Sequence, residues 1–309
     1  MKICITGGAG FIGTNFTKYF IEHYDADITV IDKLTYAGNK DNLDGLDLKF
    51  VHKDICDLTV QDFDSYDYIF HFAAESMVDR SIHDATDFLR TNITGTVNLL
   101  ELCKQVGCGK FIMISTDEVY GSVSIPSRET DIISCSSAYS ASKAAAETFC
   151  NAYHKTFQIP IVITRSSNNF GPYQHGEKLI PKIIRCAHYN NPIPIYGTGM
   201  NIRDWIFVED NCSAIDFVSR KGVVGEVYNI GGGNPLTNLT ITKTILGIMG
   251  KPQSLINFVS DRPGHDFEYN LDCYKLKRLG WEPNFTFDAA IKTTVKWYLG
   301  NTKWMIEKS

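Results

Sequence analysis

Three short stretches carry side chains of the types and spacing that could do chemistry together. In STDEVYG, at 115–121, an apolar run from Phe111 to Ile114 gives way to a hydroxyl at Thr116, adjacent carboxylates at Asp117 and Glu118, and a phenol. A polar turn at the end of a strand would hold such residues without any chemistry, so the carboxylate pair gains meaning only from its neighbours. Tyr139 and Lys143 form Y-x-x-x-K, and residues four apart share one face of a helix. An ammonium beside a phenol favours the phenolate, so Lys143 is expected to lower the Tyr139 pKa toward that of a useful base and to reach ribose hydroxyls. Gly7, Gly10 and Gly13 follow the apolar run Lys2 to Thr6 as G-x-x-G-x-x-G. Such glycines permit a tight turn and let a pyrophosphate approach a helix amino terminus, where N–H groups and the helix dipole favour an anion. Asp32 ends the next apolar run, where a carboxylate holds a ribose 2'-hydroxyl and repels a 2'-phosphate. NAD is therefore expected over NADP.

These residues need elements to hold them. Short apolar runs alternate with segments of helical period through the first half, the pattern of a parallel sheet with crossover helices. Strands are expected at Lys2 to Thr6, Ile28 to Asp32, Lys49 to His52, Tyr68 to Phe72, Lys110 to Ser115 and Ile161 to Arg165, with the clearest helices starting near Ile12, Thr86 and Tyr139. Successive strand residues point to opposite faces. Asp117 and Glu118 therefore serve one site only if the chain leaves strand geometry near Thr116, at the carboxyl end where such sheets bind ligands. After Arg165 the sequence breaks into Pro- and Gly-punctuated pieces, including NNPIPIYGTG, and ends in the amphipathic run DAAIKTTVKWYL. Residues 1–165 are thus expected to form a dinucleotide-binding domain and 166–309 mainly a second, smaller domain, with part of 205–230 returning to the first.

Size and composition fit an enzyme of this kind. The chain has 309 residues, 44% hydrophobic and 21% charged, with a net charge of -5. That describes an ordinary globular protein and gives no sign of a nucleic-acid partner. MKICITGG has no leader-like character and no stretch is long enough to span a bilayer, so a cytoplasmic location without membrane contact is expected. Nine cysteines are scattered without C-x-x-C pairs or metal-ligand spacing to histidines, which points to reduced thiols and no metal site.

In this setting the Tyr-Lys pair, the glycine fingerprint and Thr116 resemble the active site of the extended short-chain dehydrogenase/reductase superfamily. The Thr116-Asp117-Glu118 triplet is similar to the mark of its sugar-nucleotide 4,6-dehydratases. FHFAAESMVDRSI, TNITGT, SAYSASKAAAE, NNFGPYQHGEKLIP, PIYGTGMNIRDWIFVED, YNIGGGN and DRPGHD extend the resemblance to the dTDP-glucose 4,6-dehydratases along nearly the whole chain. It implies an α/β fold, a Rossmann-type doubly wound parallel sheet with a smaller mixed α/β substrate-binding domain, and a lyase that borrows and returns one hydride. Tyr139 would deprotonate the sugar 4-hydroxyl as hydride passes from carbon 4 to NAD; Glu118 would then take the carbon 5 proton and Asp117 protonate the departing 6-hydroxyl. Adjacent carboxylates with opposite duties require environments that push their pKa values apart.

The resemblance further implies cofactor contacts from Phe11, Ile12, Asp54, Ile55, Ala73, Ala74 and Asn168. Substrate contacts are implied for Ser76, Thr116, Asn169, Lys178, Leu179, Pro194, Tyr196, Arg203, Asn238, Arg262 and His265. Asn92 is either a structural residue behind the catalytic groups or a helix cap. A nucleoside-diphosphate sugar, with dTDP-glucose favoured, is the implied substrate, and a homodimer built on helices of the first domain, with Ala141, Ala144, Ala145 and Ala146 as a small-residue face, the implied assembly. Three features depart from the pattern: Met77 stands where histidine is expected, Ala138 where proline usually precedes the tyrosine, and the segment between Gly121 and Tyr139 is short. The competing readings are a UDP-glucose 4,6-dehydratase, another extended-family enzyme such as a UDP-glucose 4-epimerase or a decarboxylase, and a non-catalytic NAD-binding module. The epimerase and decarboxylase have no need of the carboxylate pair, and the binding module has no need of an intact Thr116, Tyr139 and Lys143.

Overall fold

The computed structural model describes residues 1–261 and 264–305. The first half alternates as its hydrophobic pattern requires. β1 (Lys2–Thr6), α1 (Phe11–His23), β2 (Asp27–Asp32), β3 (Lys49–His52), β4 (Tyr66–His71) and α2 (Val78–His83) come first. A longer helical run follows, made of α3 (Thr86–Phe88), a π-helical turn at Leu89–Gly95 and α4 (Thr96–Val106), then β5 (Cys108–Thr116), α5 (Ala138–Phe157) and β6 (Ile161–Ser166). All six strands expected in this half form, with ends shifted by at most two residues, the usual fraying of element boundaries.

The remainder contains β7 (Asn168–Phe170), α6 (Leu179–His188), β8 (Ile193–Tyr196), β9 (Ile202–Phe207), α7 (Val208–Lys221), β10 (Val227–Ile230), β11 (Pro235–Thr237), α8 (Asn238–Met249), β12 (Ile256–Val259), α9 (Tyr274–Leu279) and α10 (Phe287–Gly300). Seven parallel strands pair in the order β10-β6-β5-β4-β1-β2-β3, while β11-β9-β7 and β12-β8 form small separate sheets. The strand order reverses between β1 and β4, and in doubly wound sheets that switch point opens a crevice at the carboxyl ends.

Both faces of the large sheet are covered, so its strands are apolar on both sides. Ile3, Ile5, Val30, Phe70, Ile112 and Ile114 pack with Phe16 and Phe20 of α1 and Ile215 and Val218 of α7. The alternate residues Cys4, Ile31, Ile69, Phe111 and Met113 pack on the other face with Leu99 and Cys103 of α4 and Cys150 of α5. Ala146 belongs to this second cluster and is fully buried, so it is not part of an outward small-residue face with Ala141, Ala144 and Ala145. It shares the sheet-facing side of α5 with Lys143 and Cys150, three and four residues away.

The start of α5 matters most for the site, because it sets where Tyr139 stands. Ser137 caps the helix: its Oγ accepts from the Ser140 N–H at 3.1 Å, and its own N–H donates to Ser140 Oγ at 3.2 Å. Ala138 is the first helical residue, where a proline would only preset a torsion. The reciprocal serine bonds define the helix start in its place.

Candidate active site

β1 ends at Thr6 and the chain turns through Gly7, whose φ is +71°. A Cβ at Gly7 would lie 2.5 Å from the Ala73 nitrogen, and one at Gly13 would lie 2.2 Å from the Gly7 oxygen. Both positions are closed to any side chain, and α1 starts against the turn with no side-chain cap. Its first-turn N–H groups therefore remain as anion donors, at a cavity lined by Gly7, Gly10, Phe11, Ile12 and Gly13. Asp32 lines the same cavity, its carboxylate fixed by the N–H of Ala9 at 3.0 Å and of Leu34 at 2.8 Å. Ile55, Ala73, Ala74, Ser76, Tyr139 and Lys143 complete the wall. The Asp54 carboxylate, beside Ile55, accepts from the Cys56 N–H at 2.9 Å and caps the short turn at Ile55–Asp57. Ser76, expected to contact substrate, lines the cavity of Asp32.

Across from this cavity lies a second one. It is lined by Glu118, Asn168, Asn169, Lys178, Leu179, Pro194, Tyr196, Arg203, Asn238 and His265, so Asn168, expected to contact the cofactor, and Asn169, expected to contact substrate, line one cavity. Met77, Gln174 and Lys178 line both cavities and mark their junction. Buried side-chain atoms without a partner among the described residues gather around the second cavity: Asn168 Oδ1, Asn169 Oδ1, Gln174 Oε1, Trp205 Nε1 and Asn238 Oδ1. Buried polar atoms are seldom left unsatisfied, and a ligand rich in hydroxyls would supply the donors that the amide oxygens lack and an acceptor for the indole N–H. Arg203 is already engaged, with Nη1 donating to the carbonyls of Ile202 and Phe267 and Nη2 to that of Asp266, and its guanidinium 4.2 Å from the Tyr269 ring centre. These bonds hold the loop at 266–267 against β9, and Arg203 also lines the second cavity. His265 Nδ1 lies 2.6 Å from Asp261 Oδ1, while Arg262 falls outside the described residues.

Between the cavities, β5 stops at Thr116. Its side chain accepts from the Glu118 N–H at 3.2 Å, and Asp117–Tyr120 continue as a 3-10 turn. The two carboxylates consequently meet different surroundings. Glu118 lines the second cavity; Asp117 is 3% exposed, with one carboxyl oxygen accepting from the Thr116 hydroxyl and the other unpartnered. Burial, reinforced by the charges of Glu118 and Asp204 and only partly offset by Arg203, raises the Asp117 pKa well above the usual carboxylate range. Burial thus favours the protonated form of Asp117.

A model of the family described as GDP-mannose 4,6 dehydratase matches residues 4–294. The chain belongs to that dehydratase family. Among curated relatives it is 46% identical to the low-salt glycan biosynthesis protein Agl12 of Haloferax volcanii, over 97% of this chain and 99% of the other. It is also 46% identical to the dTDP-glucose 4,6-dehydratase of Haemophilus influenzae, over 98% and 99%. Among solved structures, DesIV, a dTDP-glucose 4,6-dehydratase from Streptomyces venezuelae with NAD and TDP bound, superposes with a TM-score of 0.95 at 42% identity, covering 98% of each chain.

The Tyr139 phenol is raised, by burial first and then by the Glu118 charge, against a hydrogen bond to Thr116. The spacing does place both side chains at the same cavity, but the Lys143 ammonium donates to the Ile114 carbonyl at 2.6 Å. Asn92 caps no helix. It sits in the π-helical turn and joins the Glu75 backbone, at 2.8 and 3.0 Å, to Ser142 Oγ at 2.8 Å, tying α5 to the loop after β4. Sequence reasoning missed Tyr36, Gln174, His175 and Trp205 as wall residues. The last three lie inside conspicuous motifs, whereas Tyr36 lies in a loop with no distinguishing pattern.

Burial also lowers the Lys143 pKa to about 8, with Glu147 opposing. The unfolded chain binds this proton up to about 10.5, so between these values the unfolded state holds more protons and stability rises with pH. Below about 8 both states carry the charge and its contribution is flat. The unfolding free energy of the native protein minus that of Lys143→Met is expected to climb from about pH 8 to 10.5, by roughly 3 kcal/mol at ~1.4 kcal/mol per decade of affinity. Urea titrations at several pH values measure it; a flat difference would mean that Lys143 is not desolvated.

Proposed function

We propose that this chain is an NAD-dependent sugar-nucleotide 4,6-dehydratase, a lyase that converts dTDP-glucose to dTDP-4-keto-6-deoxyglucose. The observation that carries the reading is the carboxylate pair in unlike surroundings, Asp117 buried and Glu118 at the wall of the second cavity, with Tyr139 in the wall of the first. The names and bound molecules of the relatives support the same assignment. An epimerase exchanges hydride and proton at carbon 4 alone and has no use for an acid and a base aimed at carbons 5 and 6.

The glycine turn, the free first turn of α1 and the Asp32 carboxylate fit a dinucleotide without a 2'-phosphate. When bound, NAD accepts the hydride from carbon 4 and gives it back at carbon 6, and its nicotinamide adds the positive charge that favours a Tyr139 phenolate. Tyr139, hydrogen-bonded to Thr116, takes the proton of the 4-hydroxyl. The resulting ketone acidifies the carbon 5 proton, which Glu118 removes from its position on the cavity wall. Asp117 then gives its proton to the departing 6-hydroxyl, which leaves as water; this requires the 3-10 turn to bring the acid up to the sugar. Glu118 returns a proton to carbon 5 to complete the 4-keto-6-deoxy product. Asn168, Asn169, Lys178, Arg203, Asn238 and His265 hold the nucleotide sugar in the second cavity. In this reading residues 1–165 with Val227–Ile230 serve the cofactor, most of 166–309 serve the substrate, and the chain works in the cytoplasm. No helix among the described residues is long and apolar enough to cross a membrane.

A hydride that is borrowed and returned needs its carrier in place throughout. The purified protein is therefore expected to release NAD or NADH on acid or solvent extraction; recovery of NADP alone would overturn the role of Asp32.

Tyr139→Phe should stop oxidation at carbon 4, and Glu118→Gln should allow oxidation while blocking loss of the carbon 5 proton. Each loss should be about 100- to 10,000-fold, the usual contribution of a positioned acid or base. In deuterated water the native enzyme should place one deuterium at carbon 5 of a 4-keto-6-deoxy product, while the migrating hydride stays unexchanged. NMR and mass analysis of products from dTDP- and UDP-glucose decide this. A product that keeps its 6-hydroxyl, or normal turnover by Glu118→Gln, would sink the dehydratase reading, and preference for UDP-glucose would correct the base.

A homodimer completes the proposal. On α5, Ala141 is exposed, Ala144 and Ala145 are half-buried, and Phe149 is 40% exposed, an outward face that a second copy would cover. Sedimentation is expected to give twice the chain mass, and a species of single-chain mass at every concentration would refute it.

A further inference from the structure

The oxidation pair, Tyr139 and Lys143, stands on α5, and the elimination pair, Asp117 and Glu118, on the 3-10 turn after β5. Two separate elements must therefore hold a fixed distance within one sugar ring. One buried network spans them. Glu147, one turn beyond Lys143, receives Arg165 Nη2 at 2.6 Å and Nε at 3.1 Å. Arg165 Nη1 donates to the Tyr120 hydroxyl at 2.7 Å, and that hydroxyl donates to Asn229 Oδ1 of β10 at 2.8 Å. Tyr120 is the last residue of the turn that carries Asp117 and Glu118. All four side chains are at least nine-tenths buried, and Arg165 lies beside Ser115 in the register of β5 and β6.

Stability alone is a weak reason for such a network. Desolvating a guanidinium and a carboxylate cancels most of their attraction, and well-packed apolar replacements of a buried ion pair are often neutral or better. What the network does is geometric: the planar guanidinium fork fixes direction as well as distance, joining the helix of one catalytic pair to the turn of the other. We propose that Glu147, Arg165 and Tyr120 are positioning residues for the elimination step, a brace that sets the separation between the oxidation pair and the carboxylate pair. The inference rests on the dehydratase reading. Oxidation at carbon 4 needs α5, Thr116 at the end of β5 and the cofactor, whereas elimination also needs the turn beyond Thr116 in place, so loosening the brace uncouples the two.

Tyr120→Phe removes one hydroxyl and leaves the ion pair intact. In single turnovers with dTDP-glucose, formation of reduced nicotinamide should be nearly unchanged, while formation of the 4-keto-6-deoxy product falls about 10- to 100-fold, as expected for a displacement near 1 Å at the reacting centre. Reduced cofactor and a 4-keto hexose that retains its 6-hydroxyl should accumulate, with KM little altered and deuterium entry at carbon 5 slowed in step with product. A uniformly weakened fold would lower both steps together. Equal losses in both steps, or product formation at the native rate, overturn the brace. Should Tyr120→Phe not fold, Glu147→Asp, which keeps the charge and shortens the reach by one methylene, is expected to give the same partition, and equal losses there overturn it too. If the native protein itself makes no 6-deoxy product, the underlying reading fails and the brace with it; a productive native enzyme with an unaltered Tyr120→Phe partition fails the brace alone.

Discussion

The arrangement depends on β5 ending where it does. An extended strand sends consecutive side chains to opposite faces, so carboxylates at Asp117 and Glu118 would be separated by the sheet if β5 ran two residues further. Thr116 prevents this by turning its hydroxyl onto the Glu118 N–H, the local bond by which threonine competes with a strand ladder. The 3-10 turn that follows closes at Gly121, with φ of +71° and the Ser134 oxygen 2.2 Å from where a Cβ would be. A side chain at Gly121 would push the turn away from the segment before α5. The carboxylates therefore owe their shared location to a hydroxyl before them and a missing side chain after them.

Placed so close, the two carboxylates differ mainly by water. Burial raises the Asp117 pKa, and the neighbouring Glu118 and Asp204 charges act in the same direction. Asp204 is itself deeply buried, which raises its pKa, partly opposed by backbone N–H groups from the glycine-rich segment after β10. A polar cluster of this kind differentiates identical chemical groups through their surroundings, as a proton donor and a proton acceptor at one pH must be differentiated. The raised Tyr139 phenol follows the same rule, since a buried group beside a carboxylate resists becoming an anion until a compensating charge arrives.

The family and the fold leave the substrate's identity to a few walls. The glycine turn and Asp32 deal with the dinucleotide, whose shape is constant, and they are fixed by backbone packing at Gly7 and Gly13. The second cavity instead offers side-chain amides and an indole with open hydrogen-bonding capacity, groups that can accept different hydroxyl patterns. Met77 sits at the junction of both cavities, 8% exposed, in the place of the histidine that the motif leads one to expect. A thioether there adapts in shape and offers only a weak acceptor, which removes a strong polar contact from the sugar's surroundings.

The sequence by itself determined the six strands of the first half, the glycine turn with Asp32, and the tyrosine-lysine pair on one helix. Each is a local matter, because hydrophobic period, strand-terminal glycines and i, i+4 spacing act within a few residues. It also required the break at Thr116, since alternation of faces left no other way for both carboxylates to act. Tertiary structure decided the rest. The Lys143 ammonium meets the Ile114 carbonyl, and Arg203 the carbonyls of Asp266 and Phe267, contacts whose partners come from segments distant in the chain. Ala146 turned inward for the same reason: which side of α5 is covered depends on where the sheet lies. The raised Asp117 pKa likewise comes from desolvation, and desolvation is set by everything that packs around a group, which no local spacing encodes.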